Sequence, residues 1–151
     1  MSPSRAPAAR TARRRVAAAG ATAGVAWLTV EPALRRLFGH PYSDPQLATA
    51  FVARGGRQRA LDYCVQAVGG AAFATAFNRL GGRTTGQAVA ATLGENALLI
   101  ALFPLVDRIH PDVRAGRWPP LTANPRAVGV SISGHLVYAV LLGLISRRQT
   151  V

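Results

Sequence analysis

GQAVAATLGENALLIALFPLV, residues 86–106, is the stretch whose reading decides the fold. From Ala88 to Val106 only Glu95 and Asn96 break the apolar character of 19 residues. A hydrocarbon layer about 30 Å thick is crossed by about 20 mostly apolar helical residues. The stretch therefore reads as a transmembrane helix with an ionisable group near its midpoint. A charge there costs roughly 2.5 kcal/mol or more unless it is protonated, paired or turned to water. The rest of the chain has to be searched for groups that answer Glu95.

On the N-terminal side, the Gly81, Gly82 and Gly86 region is a tight turn, not a phosphate loop, since it has neither the lysine nor the preceding strand. Before it, residues 61–79 form a second apolar run interrupted by Gln66 and Gly69-Gly70. Residues 39–60 connect that run to a first one at 16–38. In the connector, Asp44-Pro45 is an N-cap acceptor followed by proline at a first helical position, so 46–54 reads as a short helix on the membrane surface. Residues 1–15 carry five arginines among Pro, Ser and Ala, with nothing apolar to bury, and read as a disordered, cytoplasm-facing tail. The Arg run followed by an apolar stretch imitates a signal peptide, but Glu31-Pro32 and Arg35-Arg36 make no small-residue cleavage site.

On the C-terminal side, a connection with Trp118 and several prolines precludes a long helix, and Trp118 is placed at headgroup level. Residues 127–146 form the fourth span, closed by Arg147-Arg148. The resulting expectation is an all-α integral membrane four-helix up-down bundle, with spans at 16–38, 61–79, 88–106 and 127–146, behind a disordered Arg-rich tail.

Half of the 151 residues are hydrophobic and 16% are charged, and all 18 basic residues are arginine, for a net charge of +12. The arginines flank apolar runs as in membrane proteins, without the interleaved aromatics of a stacking platform, so nucleic acid is excluded as a partner. Counted by predicted side, the arginines divide nine and nine; the cluster before the first span places the N-terminus in the cytoplasm. Cys64 is the only cysteine, which rules out an internal disulfide, and it reads as a buried packing residue. A weak internal repeat is present: Pro32, Leu34, Arg36 and His40-Pro41 are echoed by Pro104, Leu105, Arg108 and His110-Pro111. Two related hairpins would follow from it.

Helical spacing gives each span one stripe of small, polar or aromatic residues. The first has Gly20, Gly24, Trp27 and Glu31, with Gly20 and Gly24 forming a GxxxG pair. The second has Gln66, Gly70, Phe73 and Phe77; the third Thr92, Glu95, Asn96 and Leu99; the fourth Ser131, Gly134, His135 and Tyr138. These stripes should face inward. Glu95 and His135 lie at similar depth and are expected to meet, either as a proton or substrate site or as a hydrogen bond that fixes helix register, with Glu31 and Gln66 nearer the long loops. His40, Asp44, His110 and Asp112 fall on one predicted side as weak metal candidates, although His-Pro is also ordinary turn punctuation. No serine or cysteine sits in a nucleophile setting, so no enzyme, catalytic residue or cofactor is expected.

Gly134-His135-Leu136-Val137-Tyr138 with Gly143 and Arg147-Arg148, together with the opening Ala19-Gly20-Ala21-Thr22-Ala23-Gly24, resembles small bacterial inner-membrane proteins of the YagU-like family and its actinobacterial relatives. The resemblance covers the first and last spans and implies a multi-helix protein of the bacterial cytoplasmic membrane with no catalytic residues. The function expected is that of a structural or accessory bundle that associates with itself or with a membrane-protein partner. The alternative is a small proton- or solute-coupled transporter subunit using the Glu/His pair.

Overall fold

Short local signals set the helix ends. Thr84 opens a helix with a capping box: its hydroxyl accepts from the Gln87 N–H at 3.1 Å, and the Gln87 side chain accepts from the Thr84 N–H at 3.0 Å. Gly39, at φ 62°, closes another in a Schellman turn, with His40 N–H donating to Arg35 C=O at 3.1 Å. The computed structural model describes residues 5–147. The helices are α1 (Arg5–Phe38), α2 (Gln46–Thr49), α3 (Gly55–Arg79), α4 (Thr85–Ala101), α5 (Phe103–Ile109), α6 (Pro111–Arg114) and α7 (Pro125–Arg147). No strand occurs among the described residues; the fold is all-α.

Three boundaries differ from the sequence reading. The first helix begins at Arg5, so residues 5–15, read as a disordered tail, continue α1; alanines and arginines are good helix formers once a helix runs into them. Residues 1–4 of that tail and Arg148 lie outside the described residues. The surface helix at 46–54 shrinks to the single turn α2. The stretch 86–106 is not one straight helix: α4 stops at Ala101 and α5 leaves at 47°. Pro104 has no N–H and its ring collides with the carbonyl four residues back, that of Ile100. The bend also turns Phe103 inward, where it is fully buried.

The four long helices pack as an up-down set. α1 lies on α3 and on α7, and α7 lies on α4, but α3 and α4 share no packed face. Antiparallel register is visible in each pair. Gly20 meets Gly70 while Gly24 meets Gln66; Phe38 meets Gly129 while Trp27 meets Gly134; Thr85 meets Gly143 while Asn96 meets Ser131. The Gly20–Gly70 crossing is backbone on backbone: a Cβ on Gly20 would sit 2.2 Å from the Gly70 carbonyl oxygen. This is the close approach that the GxxxG pair implies.

A second packed layer covers one end. Tyr42, Phe103, Trp118, Leu121, Ala127 and Val130 form a buried cluster beneath the two connectors. Trp118 is 4% exposed and stacks on His110 at 4.6 Å between ring centroids, so it is a core residue of this cap, not a headgroup anchor. Asp107 ties the cap down by accepting from Leu121 N–H at 2.7 Å and Thr122 N–H at 2.9 Å. Burial alone would raise its carboxyl, but these bonds hold it below the usual carboxylate range.

The polarity of the surface is unusual for a chain in water. Val65, Val68, Leu98, Leu136, Val140 and Leu144 are exposed on the outer faces of the long helices, while Glu31, Gln66, Thr92, Asn96, Ser131 and His135 are buried. Cys64, expected inside, is exposed as well, because the inward face of α3 is taken by Asp62, Gln66, Gly70 and Ala74. Among the described residues, only Pro125–Ile145 is by itself long and apolar enough to cross a membrane; Thr85–Ala101 and Phe103–Ile109 qualify as a bent pair.

Candidate functional site

The inward stripes meet in a cleft of about 90 Å³. α1 contributes Gly24 and Trp27, α3 Gln66, Gly70 and Phe73, α4 Glu95, and α7 His135 and Tyr138. The aromatic groups are mutually braced. Trp27 lies 5.1 Å from the His135 ring and 6.5 Å from Tyr138, and Phe73 meets Tyr138 edge-on at 5.6 Å. The Tyr138 hydroxyl donates to the Gly70 carbonyl at 2.8 Å, which fixes its ring. Gly134 has no side chain because the Trp27 indole occupies the place: a Cβ there would lie 2.2 Å from Nε1.

Beside the cleft runs a chain of polar contacts that joins α4, α7 and the first connector. Ser131 Oγ lies 2.6 Å from Asn96 Oδ1 and 3.3 Å from Asp44 Oδ1, and the Tyr42 hydroxyl donates to the same Asp44 oxygen. His135 Nδ1 is 2.9 Å from the Ser131 carbonyl. A carbonyl can only accept, so Nδ1 carries the proton and Nε2 is the acceptor of the neutral ring. The nearest carboxylate to His135 is Asp44, with Oδ2 3.8 Å from Nδ1. Burial pushes the Asp44 carboxyl up to about 7; hydrogen bonds from Tyr42 and Ser131 work against this, and the Glu95 charge adds to it. Burial, then the Asp44 charge, raises the Tyr42 phenol.

Glu95 and His135 share the cleft and interact through charge, with no direct hydrogen bond or close ion pair between them among the described residues. Glu95 is an exposed side chain at the cleft edge, while Thr92 and Asn96 take the buried positions of α4. Sequence reasoning missed Asp44 as the partner because Asp-Pro reads locally as a helix cap. In the structure the cap residue of α2 is Pro45, with no side-chain cap bond; the Asp44 side chain turns into the bundle. The signal was present in the segment Pro41-Tyr-Ser-Asp-Pro45. A proline at each end denies it regular structure and leaves its polar groups to be satisfied by tertiary contacts.

Glu31 and Gln66 are buried as expected, each with an atom unanswered. Glu31 is hydrogen-bonded by Ser43 and lies 4.0 Å from Arg35, with Oε2 unpartnered. Gln66 Nε2 likewise finds no partner. A buried donor left unmade costs about 1–3 kcal/mol.

The weak metal candidates do not converge, and no group of three or more His, Cys, Asp or Glu among the described residues is arranged to hold a metal. Each is used locally. His40 Nδ1 accepts from the Tyr42 N–H at 3.0 Å and His110 Nδ1 from the Asp112 N–H at 3.2 Å, while His110 Nε2 bonds the Gln46 carbonyl at 3.0 Å. Asp112 is paired with Arg117 at 2.5 Å and Arg54 at 3.5 Å. Burial, then the charges of Arg35 and Arg126, lowers the His40 pKa, which keeps the ring a neutral acceptor.

The fold and site define an all-α bundle with polar side chains buried among its apolar core, apolar ones exposed on its long helices, and a side cleft. The chain matches no family model, no curated protein and no solved structure.

Proposed function

We propose that the chain is a multi-pass protein of the bacterial cytoplasmic membrane, a non-catalytic structural or accessory helical bundle with its N-terminus on the cytoplasmic side. The observation that carries this reading is a set of buried polar groups beneath exposed apolar ones. Buried Glu31, Gln66, Asn96 and His135 with exposed Val68, Leu98, Val140 and Leu144 would be a costly arrangement in water and is the economical one in lipid. α1 and α3 carry more polar groups than α7, but Glu31, Asp62 and Gln66 point inward, which makes both compatible with spanning. The arginines at the ends of the long helices serve as interfacial anchors. Self-association or a membrane-protein partner would use the apolar outer faces.

Cys64 supplies the test, because it is the only thiol and is exposed on the outer face of α3. In intact membranes a charged maleimide is expected to leave it unlabelled until the bilayer is dissolved, and carbonate washing should not release the protein. Immediate labelling together with carbonate release would overturn membrane residence.

A second reading, a small proton- or solute-coupled transporter subunit, is favoured by the cleft itself, with Glu95 at its edge and His135 in its wall. pH-driven flux across proteoliposomes, lost in an equally assembled Glu95→Gln protein, would support it; absence of flux in wild type would leave the accessory role.

A further inference from the structure

The lining of the cleft has a chemical character that neither reading specifies. Three aromatic rings, Trp27, Phe73 and Tyr138, form its apolar walls, and the Glu95 carboxylate stands at its edge. None of the arginines among the described residues lines it, in a chain that carries 18. Asp44 adds a further acidic group behind His135. In a strongly basic protein, no described arginine lines this space and carboxylates stand near it. An aromatic face attracts a cation through its quadrupole, more strongly where water is excluded, and a carboxylate bordered by apolar walls acts through a lower dielectric than one in water.

The size of the cleft narrows the ligand. About 90 Å³ is several times the 10–15 Å³ or so that one water needs. It takes a small organic group.

We propose that the cleft binds a small organic ammonium cation, held among Trp27, Phe73, Tyr138 and Glu95. The same chemistry is offered by a free solute and by a lipid headgroup, and access between α3 and α4, which share no packed face, admits either. The proposal rests on the cleft invoked in the transporter reading but not on transport, since binding is measured at equilibrium with no gradient.

The test uses the full chain in a maltoside detergent, which has no ammonium headgroup. Choline is titrated against tryptophan fluorescence and, in parallel, by calorimetry; 3,3-dimethylbutan-1-ol, of the same shape without the charge, is the control. Saturable binding of choline is expected, with no binding of the neutral alcohol and a loss of about tenfold or more in Glu95→Gln. Glu95 is exposed, so that variant should melt like wild type. Equal binding of the neutral alcohol, or choline binding untouched by Glu95→Gln, would overturn the proposal. So would no binding by protein with a wild-type melting curve, which would leave membrane residence intact. Nanodiscs of phosphatidylglycerol with and without phosphatidylcholine or phosphatidylethanolamine then identify the source. Competition by the zwitterionic lipid supports a headgroup ligand, and undiminished choline binding supports a free solute.

Discussion

The two halves of the chain solve one packing problem in different ways. α1 through α3 and α4 through α7 each run as a helix, a His-Pro turn, a connector and a second helix. In both turns the histidine Nδ1 accepts from the N–H two residues on. In both, the second helix opens fifteen residues after the histidine, Gly55 after His40 and Pro125 after His110. The recurring His-Pro signature is thus a recurring piece of geometry. The helix pairs differ in what joins them. α1 and α3 touch backbone to backbone through Gly20, Gly24 and Gly70, whereas α4 and α7 are joined by a buried hydrogen bond between Ser131 and Asn96. Close packing tolerates no added atom; a hydrogen bond tolerates substitution at a modest cost.

That difference can be broken from either side. The largest effect is expected from Gly20→Ala, whose Cβ would collide with the Gly70 carbonyl. Overpacking of this kind costs about 1–3 kcal/mol or more, and thermal melting in detergent should show the loss with α1 and α3 separating. The Asp44 carboxyl is the acidic group of the first half that reaches the second, through Ser131 and His135. Its pKa is raised from 3.8 to about 7. A raised carboxyl gives stability that is fully present below pH 3.8 and lost as pH rises through about 7. Wild type should therefore melt lower at pH 8 than at pH 5. Asp44→Asn should reduce that slope, with a difference on the order of a few kcal/mol at pH 8. A slope unchanged in the variant would mean that the two halves are not coupled through this residue.

Smaller changes follow in the second half. Ser131→Ala removes the hydroxyl that contacts both Asn96 and Asp44 and should cost about 1 kcal/mol, short of the glycine substitution; an equal loss would erase the contrast drawn between the halves. Ala123, at φ 56°, is the non-glycine residue with positive φ among the described residues. Left-handed backbone costs a residue with a Cβ about 1 kcal/mol, so Ala123→Gly should raise the melting temperature slightly. The first half has glycine at its own positive-φ position, Gly55 at φ 62°, the first residue of α3.

Local chemistry was legible and distant partnership was not. Thr84-x-x-Gln87, the glycine after α1 and the proline opening α7 mark helix ends whatever surrounds them. The inward stripes could be read off periodicity, since Gly24, Trp27, Gln66, Gly70, His135 and Tyr138 line one cleft. The bend at Leu102 was written in the sequence as Pro104, but apolar continuity through the stretch outweighed it in the reading. Asp44 and Trp118 were placed by their neighbours in sequence, as a cap and an interfacial anchor. Their positions are set instead by residues far along the chain, Ser131 for one and Tyr42 for the other. Cys64 went the same way. Its burial depended on which face of α3 meets α1, and the glycine crossing decides that.

One absent contact carries a consequence for how anything arrives. α3 and α4 are neighbours in sequence, tied by the short turn after Leu80, yet they have no common packed face. A barrel closed on all sides is filled from its ends. This one has a flank where two helices are not packed together, so on the membrane reading proposed above a visitor would reach Trp27 and Glu95 by wandering sideways through the sheet of lipid, a search in two dimensions.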